Sequence, residues 1–161
     1  MDKLRRDVAA LLPELRAFAR FLARDRSQAD DIVQDAIVRA LGSLHQFQPG
    51  TNLKAWLFTI QRNVFYEQAR RRKREATALE ERVTEEQGGP VTQHDISDLQ
   101  KMIWTLPPLL REALILVGAQ EMTHEEAAAI CGVPIGTMKA RLSRARAALN
   151  KVAESAALSI S

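Results

Sequence analysis

The sequence predicts an all-α protein of two small helical domains joined by a flexible acidic linker. Three observations carry this. Apolar residues recur at helical steps of three and four through most of the 161 residues, while strand-like alternation is almost absent. Between Glu75 and Asp98 seven acidic residues stand against Arg82 alone, punctuated by Gly88, Gly89 and Pro90, a composition suited to a linker. Basic blocks lie on either side of that stretch, so the formal charge of +3 understates how unevenly charge is distributed. The expected division is a first domain over residues 1–78, a linker over 79–95, a second domain over 96–155 and a tail over 156–161.

Residues 4 to 24 carry an amphipathic pattern from Leu4, Val8, Leu11, Leu12, Leu15, Phe18, Ala19 and Leu22, with Pro13 set to kink or split the helix. Ser27 and Asp30 offer the next helix start, followed by a buried stripe of Ala29, Ile32, Val33, Ala36, Ile37, Ala40, Leu41 and Leu44. Its other face lines up Asp31, Gln34, Asp35 and Val38, an acidic strip read from the residues alone as a solvated face or a docking surface. A loop from Gln46 to Asn52 is broken by Pro49 and Gly50, and Thr51 or Asn52 can cap the next helix.

The helix from Leu53 to about Arg74 concentrates Trp56, Phe58, Phe65 and Tyr66. Leu53, Trp56, Leu57, Ile60 and Val64 can face the core, while Phe58, Arg62, Phe65, Tyr66 and Ala69 share another side. Core packing is the simpler reading for Trp56 and Phe58, and Phe65 and Tyr66 stand evenly between core and surface. Arg70, Arg71, Arg72, Lys73 and Arg74 come directly after, so one helix offers ring faces for unstacked bases and dense charge for a nucleic-acid backbone.

The second domain opens with Leu99, Met102, Ile103 and Leu106, turns at Pro107 and Pro108, and continues through Leu110, Ala113, Leu114 and Val117. Thr123 and Glu126 have capping-box spacing, and Gly132 suits a left-handed helix end. Pro134 opens a last helix whose stripe of Ile135, Met138, Leu142, Ala145 and Leu149 is predicted to be buried. The opposite side presents Gly136, Thr137, Ala140, Ser143 and Arg144, flanked by Lys139 and Arg141. That is the pattern of a helix-turn-helix whose second helix enters a major groove.

Other chemistries find little support. His45, His94 and His124 are scattered, and neither a phosphate-cradling glycine loop nor a nucleophile elbow is present. No catalytic residue, metal, cofactor or small-molecule substrate is expected. Lone Cys131 excludes an internal disulfide framework and reads as a small buried hydrophobe. With no leader and no membrane-spanning run, a soluble chain in a reducing cytoplasm is expected.

The segments DRSQADDIVQDAIVRAL, PGTNLKAWLFTIQRNVFYEQARRRKRE and LPPLLREALILVGAQEMTHEEAAAICGVPIGTMKARLSRARAAL resemble bacterial RNA polymerase sigma factors of the extracytoplasmic-function (ECF) group, which keep sigma regions 2 and 4. Within that group PGTNLKAWLFTIQRN and REALILVGAQ resemble the EcfG-type general stress response factors. The resemblance implies docking of Asp31, Gln34 and Asp35 on the clamp helices of the largest subunit of core polymerase, with the β flap as a second contact. It implies that the loop with Phe47, Thr51 and Asn52, together with Arg62, Asn63 and Tyr66, captures a flipped base of the −10 element, while Arg70 to Arg74 hold the strand. Gly136, Thr137, Lys139, Ala140, Arg141 and Arg144 would face the −35 element of promoter DNA, and Pro134 departs from the polar cap frequent in the family. An anti-sigma factor, and a response regulator with a sigma-like domain, are further implied partners. The rivals are a sigma mimic that only sequesters an anti-sigma factor and a stand-alone helix-turn-helix repressor. The mimic would carry a receiver domain, and the repressor would leave the aromatic basic helix without a task.

Overall fold

In the computed structural model the described residues are 2–78 and 98–160, so the stretch predicted as the acidic linker lies outside them. The chain divides into two units, residues 1–90 and 91–161. Every regular element among the described residues is helical.

The first unit contains α1 (Asp2–Ala10), α2 (Leu12–Leu22), α3 (Arg26–Gly42), a short 3-10 turn (Leu44–Gln46) and α4 (Leu53–Ala78). Pro13 sits in the first turn of α2, where its missing N–H costs nothing, and the break from α1 falls just before it. Helix α3 starts earlier than the sequence predicts. The Asp25 carboxylate, not Ser27, is the cap, accepting from the Ser27 N–H at 3.2 Å. Its buried stripe is also narrower, comprising Ala29, Ile32, Val33, Ala36 and Ala40, with Ile37 half-covered and Leu41 40% exposed.

Helix α4 is rotated from its expected setting. Leu57, Phe58, Gln61 and Val64 are its buried residues, whereas Leu53, Trp56 and Ile60 are half-covered. Phe58 belongs to the core because its ring stacks on Phe18 of α2 at 4.7 Å between centroids. Gln61, fully buried, donates its amide to the Leu15 carbonyl at 2.9 Å and so ties α4 to α2.

The second unit comprises α5 (Asp98–Trp104), α6 (Pro108–Leu114) running into one π-turn (Ile115–Ala119), α7 (His124–Cys131) and α8 (Ile135–Ile160). Pro107 and Pro108 bring no N–H to the corner. There the buried Arg111 donates to the Leu106 carbonyl at 3.0 Å and lays its guanidinium 3.9 Å from the Trp104 ring centre. The π-turn carries a Gln120 N–H to Ile115 carbonyl bond of 2.9 Å and shifts the register beyond it. Ala113 is buried as expected, with Ile115, Leu116 and Gln120, while Leu110, Leu114 and Val117, also expected inside, are half-covered. Leu99, also expected inside, is 57% exposed near the start of α5.

Candidate nucleic-acid interface

In the first unit the loop before α4 is held at several points. Gln48, Pro49, Gly50 and Thr51 form a turn in which Gly50 takes φ +89°, a left-handed value that suits glycine after proline. The Thr51 N–H and hydroxyl both donate to the Gln48 carbonyl, at 3.2 and 2.7 Å. Asn52 is the cap of α4, its Oδ1 accepting from the Ala55 N–H at 3.0 Å. Phe47 tilts against Trp56 with centroids 5.4 Å apart. Three of the residues predicted for strand capture therefore also build the loop.

Beside this loop is a pocket of about 200 Å³, lined by Arg39, Ser43, Gln46, Trp56, Ile60, Asn63 and Glu67. It brings Asn63 together with two amide-bearing or hydroxyl-bearing loop-end side chains and one aromatic face. Phe47, Thr51 and Asn52 do not line it. Gln46, Trp56 and the charged pair escaped the sequence reading as binding residues. Arg39 and Glu67 lie 28 residues apart and no local pattern links them.

The pair is bidentate: Arg39 donates to both Glu67 oxygens, at 3.0 and 2.8 Å, and its Nε lies 3.5 Å from Asp35. The Arg39 hydrogen bond holds the Glu67 carboxyl below its usual range against the opposing effect of burial, with further help from the charges of Arg39, Arg70 and Arg71. A carboxyl whose folded pKa is depressed stabilises the fold above its unfolded pKa, and this contribution is lost as pH falls through the folded value. Side-chain NMR titration should find Glu67 ionising at lower pH than an isolated glutamate, with Arg39→Gln returning it to the ordinary range. An unchanged titration would show that the pair does not persist in solution.

Further along α4, Arg62 stacks over Tyr66 at 4.6 Å, and Phe65 meets Tyr66 edge-on at 4.9 Å. Both rings are half-buried, between the two settings that the sequence left open. Arg70, Arg71, Arg72, Lys73 and Arg74 are all exposed. Arg72 turns back toward α3, where the Gln28 amide oxygen accepts from both of its terminal nitrogens once that amide is oriented oxygen-outward. On the outer face of α3, Asp31 and Gln34 are exposed and Val38 is 69% exposed, while Asp35 is half-buried beside Arg39.

In the second unit the capping box forms in full. Glu126 N–H donates to Thr123 Oγ1 at 3.0 Å, and Thr123 N–H donates to Glu126 Oε1 at 2.9 Å. Gly132 takes φ +68°, and the Val133 and Gly132 N–H groups return to the Ala128 and Ala129 carbonyls at 3.0 and 3.2 Å, closing α7 in a Schellman motif. The Pro134 carbonyl then accepts from Thr137 and Met138 to begin α8.

Met138, Leu142 and Ala145 are buried as the stripe predicts, and Cys131 is buried as a small hydrophobe. Both ends of the stripe are corrections: Ile135 is 39% exposed, at the first position of the helix, and Leu149 is half-covered. Gly136, Lys139, Ser143 and Arg144 are exposed, and Thr137 and Ala140 are half-covered. Arg141 departs from a simple flank, being half-buried with one terminal nitrogen closed off from solvent and no hydrogen-bond acceptor among the described residues. A Cβ at Gly136 would meet nothing within 4 Å, so the fold itself does not require glycine there.

No helix among the described residues is long and apolar enough to cross a membrane. The chain matches the family described as Sigma-70 region 2 over residues 8–75, and that described as Sigma-70, region 4 over residues 96–149. It is 45% identical over 152 residues to the ECF RNA polymerase sigma factor EcfG of Rhodopseudomonas palustris (strain TIE-1), covering 92% of this chain and 84% of the relative. Among solved structures it is similar to the sigma factor RpoE in complex with the anti-sigma factor NepR from Bartonella quintana, with 41% identity, a TM-score of 0.84, and coverage of 96% of this chain and 98% of that one. It is also similar to CnrH in complex with the cytosolic domain of CnrY, with 27% identity, a TM-score of 0.67, and coverage of 93% and 86%. Two helical units, each bearing a cationic helix and each matching one sigma region, place this chain in the sigma-70 family, as an ECF RNA polymerase sigma factor.

Proposed function

We propose that this protein binds core RNA polymerase in the cytoplasm and directs it to specific promoters as part of a general stress response. The observation that carries this is the presence, in one chain, of two separate cationic surfaces on two folded units. One reads duplex and the other suits unstacked strand. Residues 1–78 are assigned to region 2 and 96–155 to region 4, joined through 79–95. The outer face of α3, with Asp31, Gln34 and Asp35, docks on the clamp helices of the largest subunit, and region 4 meets the β flap.

The α4 surface recognises and melts the −10 element. Asn63 and its pocket receive an extruded base, and Arg62 and Tyr66 form an adjoining stacked face. Phe47, Thr51 and Asn52 fix the loop, and Arg70, Arg71, Arg72, Lys73 and Arg74 hold the strand backbone. In α8, Gly136, Thr137, Ala140 and Arg144 face base edges of the −35 element, with Lys139 and Arg141 toward phosphates. The protein makes and breaks no bond itself. The likeness to a factor solved with NepR supports control by an anti-sigma factor that covers these surfaces.

Gly136 gives a sharp test of the groove-facing assignment. Glycine inside a helix costs about 0.5–1 kcal/mol relative to alanine, and the fold offers no steric reason for it. Gly136 lies in the first turn of α8, so Gly136→Ala should stabilise the second unit by at most about 0.5–1 kcal/mol while weakening −35 binding. A gain in thermal stability with no loss of promoter affinity would remove Gly136 from the DNA-facing set.

The function as a whole is tested by run-off transcription with purified core polymerase on a library of promoter fragments, with core alone as control. Defined starts downstream of a shared pair of elements are expected. Absence of both core binding and starts would overturn the proposal.

A further inference from the structure

We propose that Arg39 and Glu67 are positioning residues for strand capture, holding the wall of the base pocket through their bidentate pair. The inference rests on the assignment of that pocket to an extruded base and adds how its walls are held.

The pocket walls come from three elements: the end of α3, the 3-10 turn with Gln46, and α4 with Trp56 and Asn63. The Arg39–Glu67 pair links the first of these to the third, with two N–H to oxygen bonds that fix orientation as well as distance. The third nitrogen of the guanidinium faces Asp35 at 3.5 Å, so all three are directed at carboxylates. Asp35 belongs to the strip assigned to polymerase docking, and Glu67 stands one helical turn beyond Asn63. Asp35 on one side and Glu67 on the other thus fix the Arg39 side chain at the pocket wall.

Burial decides what the pair is for. Its side chains are 39% and 41% exposed, and pairs this open to water contribute little to stability. Helices α3 and α4 also pack directly on one another, and each buries apolar residues, Ile32 and Ala36 on α3 and Leu57 and Val64 on α4. What the pair does control is where two pocket-lining side chains stand, and with them the wall around Asn63.

The test uses holoenzyme reconstituted from the full chain with Arg39→Ala, Arg39→Lys, Glu67→Gln or Asn63→Ala. Core binding, thermal midpoint, and the ratio of open to closed promoter complex by permanganate reactivity are measured for each. Arg39→Ala and Glu67→Gln should lower that ratio roughly tenfold, within the range of couplings between sites, with core binding and thermal midpoint near those of the unsubstituted protein. Arg39→Lys should not restore it, because an ammonium lacks the planar fork.

Recovery by lysine would overturn positioning through the bidentate pair. So would parallel losses of opening, core binding and thermal stability, which mark a merely structural role. If Asn63→Ala lowers the ratio but Arg39→Ala and Glu67→Gln do not, this inference alone fails. If Asn63→Ala leaves the ratio unchanged, the pocket assignment fails and this inference with it. Should Arg39→Ala not fold, Glu67→Gln decides.

Discussion

Replacing Asp31 and Asp35 together by lysine will abolish holoenzyme formation while leaving the first unit folded. Asp31 is exposed on the outer face of α3 and none of the buried residues of that helix is changed. Asp35→Lys removes an i,i+4 attraction to Arg39, and such pairs contribute about 0.3–0.5 kcal/mol. Against that small loss, two reversals change the charge of the docking strip by about four units, and like-charge juxtaposition at an interface costs several kcal/mol. Co-elution with core polymerase, read beside a circular-dichroism melt, separates binding from folding. Because Asp35 also borders Arg39, Asp31→Lys alone is the cleaner second arm. Undiminished core binding by the double variant would refute the docking assignment.

Leu142→Ala has the other large expected effect, and it acts on one unit only. Leu142 is 1% exposed in the stripe between Met138 and Ala145 of α8, a helix that packs against α5, α6 and α7. Emptying such a site costs about 2–5 kcal/mol through lost burial and the cavity left behind. A core of this size, from some sixty residues, rarely supplies more than about 3–5 kcal/mol in total. The variant should lose the helix-turn-helix at physiological temperature and with it −35 binding. The first unit has its own core around Phe18 and Phe58 and should still bind core polymerase. Retained −35 affinity would mean that α8 is held by more than this stripe.

The features legible in the sequence are those set by local chemistry. Thr123, Glu126 and Gly132 mark both ends of α7 because caps are read from residues a few positions apart. Pro13 marks the division of the first amphipathic stretch for the same reason. Periodicity alone misjudged helices in which polar groups go inside: Gln61, Arg111 and Glu112 are buried, and a count of apolar positions passes over all three. That omission turns the expected face of α4 toward Leu53, Trp56 and Ile60 and that of α6 toward Leu110 and Leu114. The π-turn at Ile115–Ala119 adds a register shift that no residue type announces. At the candidate site Asn63 entered only through the family resemblance, and the Arg39–Glu67 pair did not enter at all, since long-range pairing is decided by how α3 crosses α4.

The anchored loop before α4 has a thermodynamic consequence. A proline–glycine turn, a doubly used Gln48 carbonyl, the Asn52 cap and the Phe47–Trp56 contact already hold it. Ordering a residue costs about 1–2 kcal/mol of conformational entropy, and here that cost falls on folding of the chain. Calorimetry of strand association should accordingly show only a small heat-capacity change, without the large negative value that accompanies coupled folding and binding.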